Sequence, residues 1–343
     1  MTTDSPATLA TVAASAGVSV ATVSKVLNGR ADVGPETRAR VETLLRQHDY
    51  VERRAEARPS VDQAMIELVF HGSLSAYSME ILQGVVTGAT EVGVAVAVSI
   101  RPRQKRAEGA KHATQWVRHL AAAGRRAVID VVDDVREGDL AALSRARLPL
   151  VVIDPLNVPR RQVTSVGATN FAGGLAATQH LLDRGHHRIA YLGTDVASAH
   201  NQARMHGYRA ALDAAGVRAH DEYIRSGQSF YEDGVTGGAV LLDLPERPTA
   251  VFAATDEIAA GVIEAARVRG LRVPEDLSVV GFDDTDVARL LSPPLTTVRQ
   301  PLREMGRVAL RTALRLADGE TLESHHVELA TELIVRDSTA EPR

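Results

Sequence analysis

Six polar residues stand directly after apolar, strand-like runs: His71, Asp154, Thr255, Asp256, Asp283 and Asp284. In open α/β sheets, ligands bind in the crevice outside the carboxyl ends of the strands. Groups at those ends therefore share a neighbourhood. A carboxylate accepts hydrogen bonds in pairs, and a threonine hydroxyl both donates and accepts. Such a set suits a hydroxyl-rich molecule, for instance a sugar. Buried sites of this kind discriminate strongly, because a mismatched ligand leaves polar groups unpaired. Each residue also has a plainer reading. Asp154 precedes Pro155 and suits a turn. Asp256 suits the N-cap of the helical stretch behind it. Asp283 and Asp284 suit a solvated turn.

Covalent or metal chemistry finds less support. The glycines of Gly234–Gly238 lack the Lys-Ser/Thr of a phosphate loop, and no Gly-x-Ser-x-Gly elbow occurs. There is no cysteine, so disulfides and thiolate metal sites are excluded. Twelve histidines include the adjacent pairs His186-His187 and His325-His326. Adjacent residues do not share a helix face and point to opposite faces of a strand. The sequence predicts no metal, no cofactor and no enzyme. His186, in Arg-Gly-His-His-Arg, reads as a structural turn residue.

The elements that must position the polar set alternate regularly. Strand-like runs are Ile66–Phe70, Val94–Ile100, Ala127–Val132, Leu150–Ile153, Ile189–Leu192, Ala250–Ala253 and Leu277–Phe282, with a last one at Glu332–Val335. Between them lie helical patterns such as Met79–Glu91, Gly173–Arg184, Ala203–Ala215 and Glu257–Arg269. Gly93, Gly124, Gly185, Gly216 and Gly270 follow helical stretches as C-cap glycines do. Alternation of this type predicts βαβ units, right-handed crossovers and parallel sheets. The composition agrees: 45% of residues are hydrophobic but only 3% aromatic, so Val, Leu, Ile and Ala must build the core. About 270 residues of βα repeats are too many for one open sheet, which predicts two lobes with a cleft.

The first residues differ. Leu9, Val12, Ala13 and Ala16 repeat at helical spacing behind Thr8, a good N-cap. Gly17 supplies a turn, Ser19 caps a second helix from Val20 to Leu27, and Asn28-Gly29 ends it. A third helix, Pro35–His48, buries Val41, Leu44 and Leu45. Two short helices on a glycine turn, closed by a third, form a helix-turn-helix, or else a hairpin that only packs. In a DNA-binding arrangement the second helix enters the major groove by its N-terminal residues. Ser19, Val20, Ala21 and Thr22 then stand there, with Lys25 one turn on. Val20 and Ala21 suit thymine methyls and Lys25 guanine acceptors, while Thr22, Ser24 and Asn28 suit phosphates. Charge adds little. The whole chain carries −4, and the first 59 residues hold eight Lys/Arg against seven Asp/Glu.

The stretch from Leu9 to Asn28 resembles the N-terminal signature of lactose-repressor (LacI/GalR-type) regulators: Val-Ala, Gly-Val-Ser, Thr-Val-Ser and Leu-Asn fall in register. Similar blocks recur at His180–Gly193, Arg204–Ala211, Asp256–Gly261, Val273–Asp284 and Pro294–Pro301. The resemblance implies an α/β protein: an all-α helix-turn-helix head, then a periplasmic-binding-protein-like core of two Rossmann-like lobes with parallel sheets and three crossovers. The expected division is a head at 1–50, a linker at 51–63 and an effector-binding and dimerisation core at 64–343. The implied function is a repressor, a homodimer on a pseudopalindromic operator, whose DNA affinity is set by a small effector, a mono- or oligosaccharide. Overall likeness points to xylose or a xylo-oligosaccharide.

Carried over position by position, the resemblance places Tyr77 in the loop after the first core strand and Asp154 after the fourth. Arg204 falls in an Arg-x-x-Gly-Tyr block starting a helix, and Ser229–Phe230 near an aromatic ligand contact. Thr255 and Asp256 take the place of an Asn-Asp or Ser-Asp pair, Asp283 opens an Asp-Asp pair, and Gln300 precedes Pro301. Thr8 and Leu9 join the DNA-facing set. The linker departs from the family. Relatives carry a leucine that wedges into the minor groove, and here that place is Pro59, with Glu52 where a proline is usual. Proline can itself wedge, while Arg53, Arg54 and Arg58 suit phosphates or the minor groove.

No heptad helix follows Val335, so a dimer is expected rather than a tetramer. Residues Met1–Ala10 form no secretory leader, and no apolar run reaches the roughly 20 residues of a bilayer span. A cytoplasmic protein is expected. A solute receptor for transport would fit the core but not the head.

Overall fold

The computed structural model describes residues 9–27, 33–47, 64–102, 109–132, 137–157, 163–228 and 230–343. The chain divides into two units, residues 1–62 and 63–343.

In the first unit, α1 (Leu9–Ala16), α2 (Val20–Leu27) and α3 (Pro35–Gln47) close on a small apolar centre. Val12, Ala13, Ala16, Val23, Val26 and Val41 are buried, and Leu44 and Leu45 only half-buried. Gly17 adopts φ +65°, the left-handed turn glycine permits. That turn lets the amide of Val18 return to the carbonyl of Ala13. Ser19 then caps α2, its hydroxyl accepting from the amide of Thr22 at 3.1 Å.

The second unit contains two α/β lobes. Lobe 1 is built from β1 (Met65–His71), α4 (Ala76–Glu91), β2 (Ala95–Arg101), α5 (Gly109–Ala122), β3 (Arg125–Val131), α6 (Glu137–Arg145), β4 (Leu150–Ile153) and β5 (Thr164–Ala168). The chain crosses to lobe 2 for α7 (Asn170–Asp183), β6 (Ile189–Gly193), α8 (Ala199–Ala214), β7 (Ile224–Ser226), α9 (Tyr231–Leu242), β8 (Ala250–Ala253), α10 (Asp256–Val268), β9 (Ser278–Asp283), α11 (Asp286–Leu290) and β10 (Thr296–Arg299). It returns to lobe 1 for α12 (Leu302–Ala317) and β11 (His326–Leu329), and ends in lobe 2 with β12 (Glu332–Ile334).

Lobe 1 orders its strands β11-β5-β4-β3-β1-β2, all parallel. Lobe 2 orders them β12-β10-β9-β8-β6-β7, parallel except for β12 against β10. Both sheets are covered on two faces. In lobe 1, Ile66, Leu68 and Phe70 pack with α4 and α12 residues such as Ile81 and Met305, while Val69 and Val128 pack with Val117, Leu120 and Leu143. In lobe 2, Tyr191, Phe252 and Phe282 pack with Leu181 and Tyr208, and Leu192, Val251 and Val279 with Ile258 and Val262. Continuous apolar strands follow from this double covering.

The expected strands form within a residue at most ends, but the helices begin earlier than the apolar pattern suggests. α4 starts at Ala76 rather than Met79, α7 at Asn170 rather than Gly173, and α8 at Ala199 rather than Ala203. Their first turns carry polar and small residues at the sheet ends, so apolar periodicity begins only where each helix reaches the sheet. Strands β5, β7, β10 and β11 have no counterpart among the expected runs.

Thr169 and Thr331 sit side by side on two of the three crossovers. The amide of Thr331 donates to Thr169 Oγ1 at 3.0 Å, and the amide of Thr169 donates to the carbonyl of Leu329 at 2.9 Å. His325 and His326 fasten β11 to β5 through Thr164 and Ser165. His186 is buried against Thr249, Ser278 and the carbonyl of Ala340, so it ties the last residues to the base of lobe 2.

Candidate functional site

The carboxyl ends of both sheets face a cavity of about 300 Å³. Lobe 1 contributes Phe70, His71, Tyr77 and Asp154, and lobe 2 contributes Arg204, Phe230, Thr255, Asp256, Glu257 and Asp283. Several strand ends here are strained. Val132, Asp154, Asp283 and Asp284 adopt φ of 55°, 46°, 109° and 55°, a region that non-glycine residues avoid. Strain of this kind persists only where the surroundings over-determine it, and it gathers at functional sites.

On the lobe 1 wall, Tyr77 donates its hydroxyl to Asp154 Oδ2 at 2.7 Å. Tyr77 lies in the first turn of α4, not in the preceding loop, because Ser75 caps the helix by accepting from the amide of Ser78. Burial pushes the Tyr77 hydroxyl well above its usual range, and the charge of Asp154 adds to this. Burial also raises Asp154, against the pull of Tyr77 and Arg204. A tyrosine hydroxyl beside this carboxylate remains a donor. His71, at the end of β1, holds Asp130 on β3 at 2.7 Å.

On the lobe 2 wall, Arg204 is 3% exposed. It stands in the second turn of α8 rather than at a helix start. Its Nε donates to Asn170 Oδ1 at 2.8 Å and a terminal nitrogen to the carbonyl of Ala254 at 2.6 Å. The other terminal nitrogen lies 3.7 Å from Asp283 Oδ1. The guanidinium also covers the Phe282 ring, 3.8 Å from its centroid. Asp283 is pushed up to about 7, first by burial, with Arg204 and Gln300 pulling the other way.

The remaining expected residues separate. Thr255 is the N-cap of α10, its hydroxyl accepting from the amide of Ile258 at 3.1 Å, so Asp256 is the first helical residue and not the cap. Both oxygens of Asp256 are engaged inside lobe 2, by Thr297 at 2.6 Å and by Thr285 at 2.7 and 3.0 Å. Burial, and then the charge of Asp283, raise it well above the carboxylate range. Gln300 stands behind Asp283, outside the cavity wall, and donates to Asp283 Oδ1 at 2.7 Å. Its own carbonyl is buried with no partner among the described residues. Asp284 turns away to Arg299 and Arg336. Phe230 lines the cavity just before α9, and Ser229 lies outside the described residues.

Sequence reasoning missed Asn170, Phe282, Asp130 and Glu257. Glu257 and Phe282 carried a signal only as the neighbours of Asp256 and Asp283.

In the head, Val20 is 46% exposed, and Ser19, Ala21 and Lys25 are exposed beside it. Thr22 and Ser24 are half-buried on the same helix. An apolar side chain open to solvent at a helix start leaves room for an apolar contact. Leu9 begins α1. Thr8, Asn28, Arg53, Arg54, Arg58 and Pro59 lie outside the described residues.

Residues 8–52 match the family described as bacterial regulatory proteins, lacI family, and residues 178–339 a periplasmic binding protein-like domain. The chain is 36% identical over 339 residues to the HTH-type transcriptional regulator CelR of Thermobifida fusca, a match covering 96% of this chain and 98% of that one. A solved structure described as a transcriptional regulator CelR–cellobiose complex superposes with a TM-score of 0.73 at 33% identity, covering 97% of this chain and 99% of that one. The lac repressor dimer bound to operator and the anti-inducer ONPF superposes at 0.72 with 27% identity, covering 98% of this chain and 100% of that one.

Proposed function

Because the chain belongs to the lacI family of bacterial regulatory proteins, and is on that ground a DNA-binding transcriptional regulator, we propose that it is a repressor whose core senses a short sugar of the cellobiose kind. Tyr77 and Asp154 hold the sugar from one wall, and Arg204 and Asp283 from the other. The observation that carries this reading is the cavity itself: paired acceptors and a rigid donor fork face each other across about 300 Å³, with Phe70 and Phe230 for the apolar faces of a ring. Thr255 joins through its hydroxyl. Asp256, at the cavity wall, and Gln300, behind it, act through their neighbours, one holding Thr285 and the other holding Asp283. The likeness to a regulator solved with cellobiose supports a glucose-type disaccharide over xylose.

The head, residues 1–50, reads DNA through Ser19, Val20, Ala21 and Lys25, with Thr8, Leu9, Thr22, Ser24 and Asn28 on the backbone. The linker, residues 51–63, adds Arg53, Arg54, Arg58 and Pro59. Two copies of the core, residues 64–343, place two heads at half-site spacing, about 34–36 Å on a pseudopalindrome. The protein works in the cytoplasm and turns over no substrate. Among the described residues, no helix is long and apolar enough to cross a membrane.

Fluorescence anisotropy tests this. DNA selected by the full chain from a random pool is titrated with protein, with and without cellobiose, xylobiose or xylose. The selected DNA should carry two inverted half-sites, and cellobiose should shift its affinity at least fivefold. If none of the sugars shifts either the DNA affinity or the melting temperature, the sugar reading is wrong.

A further inference from the structure

The two lobes meet beside the cavity through the first amides of two helices, one from each lobe. The amide of Ala76, which opens α4 in lobe 1, donates to Glu257 Oε1 of lobe 2 at 3.0 Å. The amide of Ala199, which opens α8 in lobe 2, donates to the carbonyl of Leu156 in lobe 1 at 2.6 Å. An amide at the first helical position has no partner within its own helix. A bond to the opposite lobe therefore takes nothing from either helix. The two contacts differ in strength. Leu156 offers a neutral backbone carbonyl, whereas Glu257 brings a carboxylate to the positive end of a 16-residue helix.

Glu257 sits in the first turn of α10, next to Asp256, whose carboxylate is held by Thr285 and Thr297. Its base is thus fixed to lobe 2 while its tip holds lobe 1. We propose that Glu257 is a positioning residue for effector binding: a latch that holds the cleft closed by gripping the first amide of α4 from the opposite lobe. This rests on the reading that the cleft takes the effector. A latch that favours the closed form raises apparent affinity by raising the fraction of molecules competent to hold ligand.

The bond can be removed from either side. Glu257→Ala deletes the acceptor. Ala76→Pro deletes the donor at the one helical position where proline is favoured. Ser75 before it is already extended, with φ −107° and ψ 175°, as a residue preceding proline must be. Glu257→Gln keeps a neutral acceptor.

The experiment measures hydrogen exchange at the Ala76 amide and cellobiose affinity, in the full chain. The Ala76 amide should be protected in the parent protein and in Glu257→Gln, and should exchange freely in Glu257→Ala. Cellobiose should bind roughly tenfold more weakly to Glu257→Ala and to Ala76→Pro. The double variant should be no weaker than either single one. Additive losses, or exchange at Ala76 that ignores residue 257, overturn the latch. Should cellobiose not bind the parent protein, the effector reading fails alone. The exchange rates then decide the latch: protection that depends on Glu257 supports it, and equal rates reject it.

Discussion

Gly174 on α7 faces the backbone carbonyl of Arg204 on α8 so closely that a Cβ there would run into it. Gly207 on α8 meets the carbonyl of Phe171 in the same way. The two helices thus touch backbone to backbone, and this close crossing sets where the Arg204 guanidinium stands. Gly174→Ala should push α8 outward. We expect a loss of about 2 kcal/mol in stability and a loss of sugar affinity of at least tenfold, read by thermal denaturation and calorimetry. A variant with lowered stability but parental affinity would show that the crossing does not place Arg204.

Arg204 itself offers a sharper test. Its fork serves Asn170, the carbonyl of Ala254 and Asp283 at once, and its plane covers Phe282. Lysine keeps the charge but cannot match that geometry. Arg204→Lys should cost about 2 kcal/mol through the polar groups left unpaired and lower sugar affinity at least tenfold. Unchanged affinity in a folded variant would remove Arg204 from the site.

Asp283 predicts a pH dependence. Its carboxyl is pushed up to about 7 by burial, whereas an unfolded aspartate titrates near 4. The native state therefore holds a proton that the unfolded chain releases. That contribution to stability is complete below about pH 4 and is lost as pH rises through about 7. Asp283→Asn fixes the neutral form. Urea denaturation at intervals between about pH 5 and 7 should show the parent losing stability relative to this variant, by up to about 1.4 kcal/mol per unit. Parallel curves would mean the proton is not held at Asp283.

The head yields a prediction in two parts. Lys25→Ala should weaken binding to the selected DNA and relax the preference for guanine at one position of each half-site, by roughly 1–3 kcal/mol. Val20→Ser should relax base preference at one position of each half-site, by roughly 1–3 kcal/mol. Selection of DNA by both variants, at two salt concentrations, separates backbone from base contact. Parental affinity and preference in both would move recognition off α2.

The strand ends were legible because each sheet is apolar on both faces, so a polar residue at the close of an apolar run stands out. Asp154 and Asp283 were found that way. Helix starts were harder to read. The first turns of α4, α7 and α8 lie at the sheet ends rather than over the sheet, so Tyr77, Asn170 and His200 interrupt no apolar rhythm. Asn170 was missed for this reason, and Tyr77 was found only through family likeness and then placed in a loop. Partnerships were harder still. That Asp256 serves Thr285 and Thr297, while Asp283 faces Arg204, depends on residues far apart in the chain. The same holds for β11, which pairs with β5 across more than a hundred intervening residues. No local pattern encodes such a partner.

The three crossovers bear on the order of synthesis. Domains form from the N-terminus as the ribosome delivers them. Here lobe 1 lacks α12 and the edge strand β11 until residue 329 has emerged, although its first strand is complete by residue 71. Lobe 2 in turn waits for β12, at residues 332–334. The Thr169–Thr331 clasp forms among the last contacts to become available. A transcript cut short between codons 47 and 326 would still encode α1, α2 and α3, but neither wall of the cavity would rest on a finished sheet. Such a fragment would have a reading head with no working sensor behind it.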